Sequence, residues 1–156
     1  MRKRSKYRPR GVRLDTMAYV KEGLTPIAAL GDANVILRAR NHGALKAMVD
    51  GQGTKAVASD LVGSINVAEA LMGMGLGKDW QVEIHAGHAA IKAMCRRGHD
   101  RGRFLFTGEE LTAVNLAMAV HDAQLDAATI KDLERAIEIV NVTVANGHAE
   151  KIVEAM

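Results

Sequence analysis

Four side chains able to bind a metal or move a proton, His85, His88, Cys95 and His99, fall within fifteen residues of a 156-residue chain. Imidazole nitrogen and thiolate sulfur are ligands that zinc favours. With Lys92 they would line one stripe of a helix, because residues three, four and seven apart share a face. A helix rises about 1.5 Å per residue, so His85 to His99 spans about 20 Å, whereas ligands must meet within about 2 Å of one ion. The four cannot share a metal. Only a pair such as Cys95 with His99 could, with further ligands from elsewhere. The alternative is that small residues of this helix pack inward and these polar ones face water or a partner. Arg96 and Arg97 would favour a Cys95 thiolate, but a lone thiol without a partner base is ordinarily inert.

His99-Asp100 and His121-Asp122 are His-Asp dipeptides. In a helical chain such a pair resembles the HD phosphohydrolases, and that resemblance implies metal-dependent phosphate chemistry with an upstream His and a downstream Asp at the same metal. His42, His85, His88 and Asp126 are the residues available for those places. The competing reading makes His121 a hydrogen-bonded histidine on a core-facing stripe and Asp122 a surface or inter-helix charge. Glu109 and Glu110 could act as paired acids, yet Thr107 and Glu110 have the spacing of a capping box, which accounts for Glu110. Gly73-Met74-Gly75-Leu76-Gly77 follows a helix and lacks the spacing of a phosphate loop, so it reads as a helix stop. No Ser-His-Asp order, paired Cys motif or Walker sequence is present. The leading expectation therefore includes no catalytic residue, metal or cofactor.

Charge is the sharper signal. Residues 1–13 hold seven Lys and Arg and no acid, so the arm carries +7 while the whole chain carries +3 and the other 143 residues carry −4. Such an arm can track a phosphate backbone, an anionic membrane or an acidic protein face. Like charges, Pro9 and Gly11 oppose a regular helix there, so the arm should be extended. Tyr7 could stack on a base, or fold back as an anchor. A second cluster, Lys92, Arg96, Arg97, Arg101 and Arg103, is opposed only by Asp100, while residues 104–156 hold nine acids and three bases. On a helix Lys92, Arg96 and Arg103 fall near one side, so arm and cluster could form one path for nucleic acid. A solvated helix end is the alternative.

The elements that would position these groups are helices. Met17, Ala18 and Val20 could dock one short turn between Asp15, a possible N-cap, and Gly23. Residues 32–49 suggest a helix, with Asn41-His42-Gly43 able to start a new one and residues 35–40 the one place for a strand. Thr54 caps a helix bearing Leu61, Ile65, Ala68 and Met72, stopped by the glycines after it. Asp79 opens the next, through Val82, Ala86, Ala89, Ala90 and Met94. Thr107 starts another, with Leu111, Val114, Met118, His121 and Leu125 in one stripe. From about Thr129 a last helix places Ile130, Leu133, Ile137, Val140 and Val144 on one face, and the short link before it predicts an antiparallel hairpin. The fold class is all-α: a single-domain bundle of four to six helices over residues 14–156, with the extended basic arm at 1–13. One cysteine excludes an internal disulfide and fits a reducing compartment. The arm is followed by no continuous apolar segment, so it does not read as a secretory leader. No stretch is long and apolar enough to span a bilayer. A cytoplasmic location and no membrane partner follow as expectations.

Lys3-Arg4-Ser5-Lys6-Tyr7-Arg8-Pro9, Met17-Ala18-Tyr19-Val20, Gly102-Arg103-Phe104, Thr107-Gly108 and His121-Asp122-Ala123-Gln124-Leu125 resemble small uncharacterised proteins of proteobacterial phages and prophages. That resemblance implies work in the host cytoplasm, on nucleic acid, gene regulation or a host protein, and carries over no catalytic residue. The expected function is non-enzymatic nucleic-acid binding by Arg2, Lys3, Arg4, Lys6, Tyr7, Arg8, Arg10 and Arg13 with Lys92, Arg96, Arg97, Arg101 and Arg103. The alternatives are a protein-binding module, either an inhibitor of a host protein or an arm-strapped homo-oligomer, and then the metal-dependent phosphohydrolase.

Overall fold

The computed structural model describes residues 16–147, which form six α-helices: α1 (Thr16–Gly23), α2 (Asp32–Val49), α3 (Lys55–Gly73), α4 (Gln81–Arg101), α5 (Gly108–Ala127) and α6 (Ile130–Ala145). Short 3-10 turns at Ile27–Leu30 and Lys78–Trp80 precede α2 and α4. Among the described residues there is no β-strand, only an isolated bridge between Pro26 and Thr129. The all-α bundle expected from periodicity is the architecture found. No helix of the described residues is long and apolar enough to cross a membrane.

α3 is the hub, packed by α2, α4, α5 and α6. Its sequence explains why: Ala58, Leu61, Ile65, Ala68 and Leu71 recur at helical spacing and are buried. The Thr54 hydroxyl accepts from the Val57 amide to start α3, and Gly75 and Gly77, both at positive φ, turn the chain out of it. Thr107 with Glu110 and Thr129 with Asp132 are reciprocal capping boxes at the starts of α5 and α6. In each, the threonine amide donates to the carboxylate of its partner.

Several expectations need correction. Residues 32–49 form one helix, with neither a strand at 35–40 nor a break at Asn41-His42-Gly43. Apolar Ala44, Leu45 and Met48 at its C-terminal half anchor it, whereas Val35, Ile36 and Val49 are exposed. α4 starts at Gln81, after the 3-10 turn that contains Asp79. Its buried face is not Val82, Ala86 and Ala89, which are exposed, but Ile84, Gly87, Ile91, Met94 and Gly98. A Cβ on Gly87 would overlap the Ala117 methyl, so glycine lets the α4 backbone press directly against α5. These two form the most extensive helix pair of the bundle.

The last two helices do not make the expected hairpin, for α6 packs chiefly on α3. Ala128 and Thr129 are extended rather than helical, and their backbone pairs with the chain at 25–27: the Ile27 amide donates to the Ala128 carbonyl at 2.9 Å and the Ile130 amide to the Thr25 carbonyl at 3.0 Å. The chain is steered away from α5 at that clip. Ala136 is the buried residue of α6, while Ile137 and Val144 of the expected apolar face stay exposed. Met17, Ala18 and Val20 of α1 are exposed as well, rather than docked. The proposed Asp15 cap lies outside the described residues.

Candidate functional site

Of the cations singled out by sequence, Arg2, Lys3, Arg4, Lys6, Arg8, Arg10 and Arg13, with Tyr7, lie outside the described residues. The second cluster lies at the C-terminal end of α4, and its members differ in kind. Arg97 is structural: its guanidinium grips both Glu110 oxygens, at 2.6 and 2.5 Å, and donates to the Leu105 carbonyl at 2.9 Å. The hydrogen bonds from Arg97 hold the half-buried Glu110 carboxyl below its ordinary range, and the capping contacts to Thr107 act in the same direction. Arg97 thus ties the α4–α5 loop to the first turn of α5. Arg96, Arg101 and Arg103 are exposed and Lys92 is half-buried. α4 ends at Arg101, and Gly102 reverses the chain at a φ of 69°. Arg103 is therefore beyond the helix, and the helical face expected to hold it with Lys92 and Arg96 stops short of it.

The histidine and cysteine stripe also divides. Cys95 is buried in the main core, where desolvation raises its thiol above the ordinary range and keeps it protonated. His85 and His99 are exposed. His88 Nδ1 meets Glu69 Oε1 of α3 at 2.5 Å, bridging the two helices.

The structure brings together three residues of the His-Asp comparison, His42, Asp122 and Asp126, at the α2/α5 boundary. His42 Nε2 lies 2.7 Å from Asp122 Oδ2. Arg38 donates to the Asp122 carbonyl at 3.2 Å and also pairs with Asp126, and the Asn34 side chain holds its Nε at 3.0 Å. The second oxygen of Asp122 is buried and has no hydrogen-bond partner among the described residues. Arg38 was not singled out by sequence, although Asn34, Arg38 and His42 recur every four residues on one face of α2. Its guanidinium supplies the positive charge between Asp122 and Asp126. Among the described residues, no group of three or more His, Cys, Asp or Glu could hold a metal ion. Of the residues named for the phosphohydrolase comparison, His42, Asp122 and Asp126 thus meet here, whereas His85, His88, His99 and Asp100 lie on α4, and no metal-ligand set is found among the described residues.

His121 is buried, as its core-facing stripe implied. Gln124 Nε2 donates to the Ala68 and Leu76 carbonyls at 3.0 and 2.9 Å, leaving Oε1 to face His121 Nδ1 at 3.2 Å. That orientation assigns the His121 proton to Nδ1. Desolvation lowers the His121 pKa, outweighing the opposite pull of Gln124 and Asp122, so the ring is neutral at pH 7. Against the outer side of Gln124 lies an apolar groove of about 330 Å³ lined by Leu76, Trp80, Leu116, Val120 and Ala123, with no charged side chain in its lining.

The fold and these sites define a helical bundle with a basic end and, among its described residues, a polar link between α2 and α5. No family model, curated protein or solved structure matches the chain.

Proposed function

We propose that this protein binds nucleic acid through the backbone phosphates and catalyses no reaction, working in the cytoplasm of a host cell as a phage-type protein. The observation that carries the reading is the segregation of seven cations and no acid into residues 1–13 of a chain whose remainder is net acidic. Exposed Arg101 and Arg103 at one end of the bundle add to its support. Cations that neutralise phosphates release condensed counterions, so affinity falls steeply as salt rises. In a gel shift the intact chain is expected to retard duplex or single-stranded nucleic acid at low salt, and a chain lacking residues 1–13 is expected to lose the shift. Equal affinity of the two proteins would remove the arm from the reading.

A second reading is a protein-binding module, through capture of a host protein or self-association strapped by the arm. It is favoured by the apolar surface that α6 leaves uncovered, where Ile137, Val142 and Val144 are 42%, 51% and 56% exposed. Light scattering of the same two proteins addresses self-association. An arm-strapped oligomer should fall to a monomer on truncation, and a monomer in both forms would rule the strap out.

A further inference from the structure

Two loops distant in sequence are locked together at one end of the bundle. Gly53, between α2 and α3, lies so close to Phe104, between α4 and α5, that a Cβ there would overlap the Phe104 carbonyl oxygen and the Met48 sulfur. Gly98, in the last turns of α4, lies against the Phe104 ring and likewise leaves no room for a side chain. Phe104 is thus a pin that fixes residues 51–54 against residues 102–106. Arg97 clamps the same loop from the other side through the Leu105 carbonyl and Glu110.

This pinning brings Lys55, the first residue of α3, to the end of α4 that carries Arg101 and Arg103. Lys55 is two residues from Gly53, and Arg103 directly precedes Phe104. At about 3.8 Å per residue, the three cations are confined to one end of the bundle. Lys55 belongs to no basic run in the sequence; the packing of α3 along α4 and the Gly53–Phe104 contact place it there. The aromatic ring at this end is turned inward to hold the loops. A protein interface is usually centred on buried aromatic or arginine anchors ringed by near-neutral contacts. This end instead offers exposed guanidinium groups, whose planar forks suit phosphate oxygens, on a rigid base that loses little freedom on binding.

We infer that Lys55, Arg101 and Arg103 form a phosphodiester-binding surface on the bundle itself, separate from the arm, and that Arg97 takes no part in it because it is spent on the loop. The inference rests on the nucleic-acid reading above and adds a second point of contact with fixed geometry. Two contacts on one polyanion raise affinity through effective concentration.

The test uses the full chain and fluorescence anisotropy, with labelled duplex DNA, single-stranded DNA and single-stranded RNA of one length, between 50 and 200 mM salt. Each phosphate contact contributes about 0.9 to the salt slope on a duplex and about 0.7 on a single strand. Arg101→Ala/Arg103→Ala is expected to reduce the slope by nearly two, so that the fall in affinity across that salt range becomes roughly tenfold smaller. Lys55→Ala should reduce the slope by nearly one, and Lys131→Ala/Arg135→Ala on α6 should leave it unchanged. Arg101→Gln/Arg103→Gln, which preserves much of the side-chain bulk, should match the alanine pair, with thermal midpoints followed throughout. The probe with the largest change identifies the preferred polymer. If the intact chain binds and both the arginine and lysine variants keep its slope and affinity, this surface is overturned and the arm alone stands. If the intact chain binds none of the probes at 50 mM salt, both this inference and the nucleic-acid reading fail.

Discussion

An alanine at Gly87 should destabilise the protein, although alanine is the better helix former by about 1 kcal/mol. The added Cβ would overlap the Ala117 methyl and lie 3.4 Å from the Ala113 carbonyl oxygen. Neither neighbour has a rotamer into which it can move, so α4 and α5 must part along their main contact. Overpacking of this kind costs roughly 1–3 kcal/mol, which leaves a net loss of about 1 kcal/mol and a thermal midpoint lower by a few degrees. Valine forfeits the propensity gain and adds two methyl groups, so Gly87→Val should lose about 3 kcal/mol and drop the midpoint by about 10 °C. The revealing variant is the exchange Gly87→Ala/Ala117→Gly. It restores the spacing and should recover much of the packing loss of Gly87→Ala, with a coupling energy that stabilises the pair. Simply additive losses by calorimetry would show that the two helices do not meet there.

Gln124 is the other position at which a single change should be severe. Its amide satisfies the Ala68 and Leu76 carbonyls and faces His121 Nδ1, three groups in or beside the core. Gln124→Met keeps the volume and strips those partners. Each stranded buried group costs about 1–3 kcal/mol, so a loss of roughly 3 kcal/mol in chemical denaturation is expected. A loss under 1 kcal/mol would mean that the carbonyls find other donors. The same site sets a pH dependence in the native chain. Because the folded-state pKa of His121 is lowered, protonation favours the unfolded state. The stability associated with the neutral ring is therefore fully present above the unfolded value, near 6.5, and is lost as pH falls through the lowered folded value. Replacing His121 by an apolar residue should remove that part of the decline between pH 7 and pH 5.

The helix starts were legible because they are written in local chemistry. Thr54, Thr107 and Thr129 each lie where a hydroxyl must accept from the new helix, and two of them have an acid three residues on. The stripe on α5 from Val114 to Leu125 was legible for the same reason, since one side of a helix repeats every three or four residues. The contacts of α4 were not. Gly87 and Gly98 are core positions because they lack a side chain, whereas a hydrophobic pattern registers only what a side chain adds. Val82, Ala86 and Ala89 therefore drew attention to a face that lies open. The direction taken by α6 was hidden too, because it depends on backbone bonds from Thr25 and Ile27 to residues about a hundred positions away.

The candidate sites divide along the same line. Arg101 and Arg103 were visible as members of a charge run, but nothing in that run distinguished Arg97, which is committed to Glu110. Lys55 has no basic neighbour in sequence and joins them through the packing of α3 along α4 and the seat of Phe104. His42 and Asp122 were both noticed as chemical groups. Their meeting at 2.7 Å, with Arg38 beside them, needed the bundle to bring α2 alongside α5.

The clip between residues 25–27 and 128–130 has a consequence for how the chain is made. Ile27 is 1% exposed because Leu125 and Ala128 close over it, and the two backbone bonds that hold it there end on Ala128 and Ile130. A ribosome adding about 5–20 residues per second leaves an interval of roughly 5–20 s between the synthesis of Ile27 and that of Ile130. Throughout that interval the socket for Ile27 does not exist. The segment that joins α1 to α2 is thus sheltered only once the chain has been made as far as Ile130.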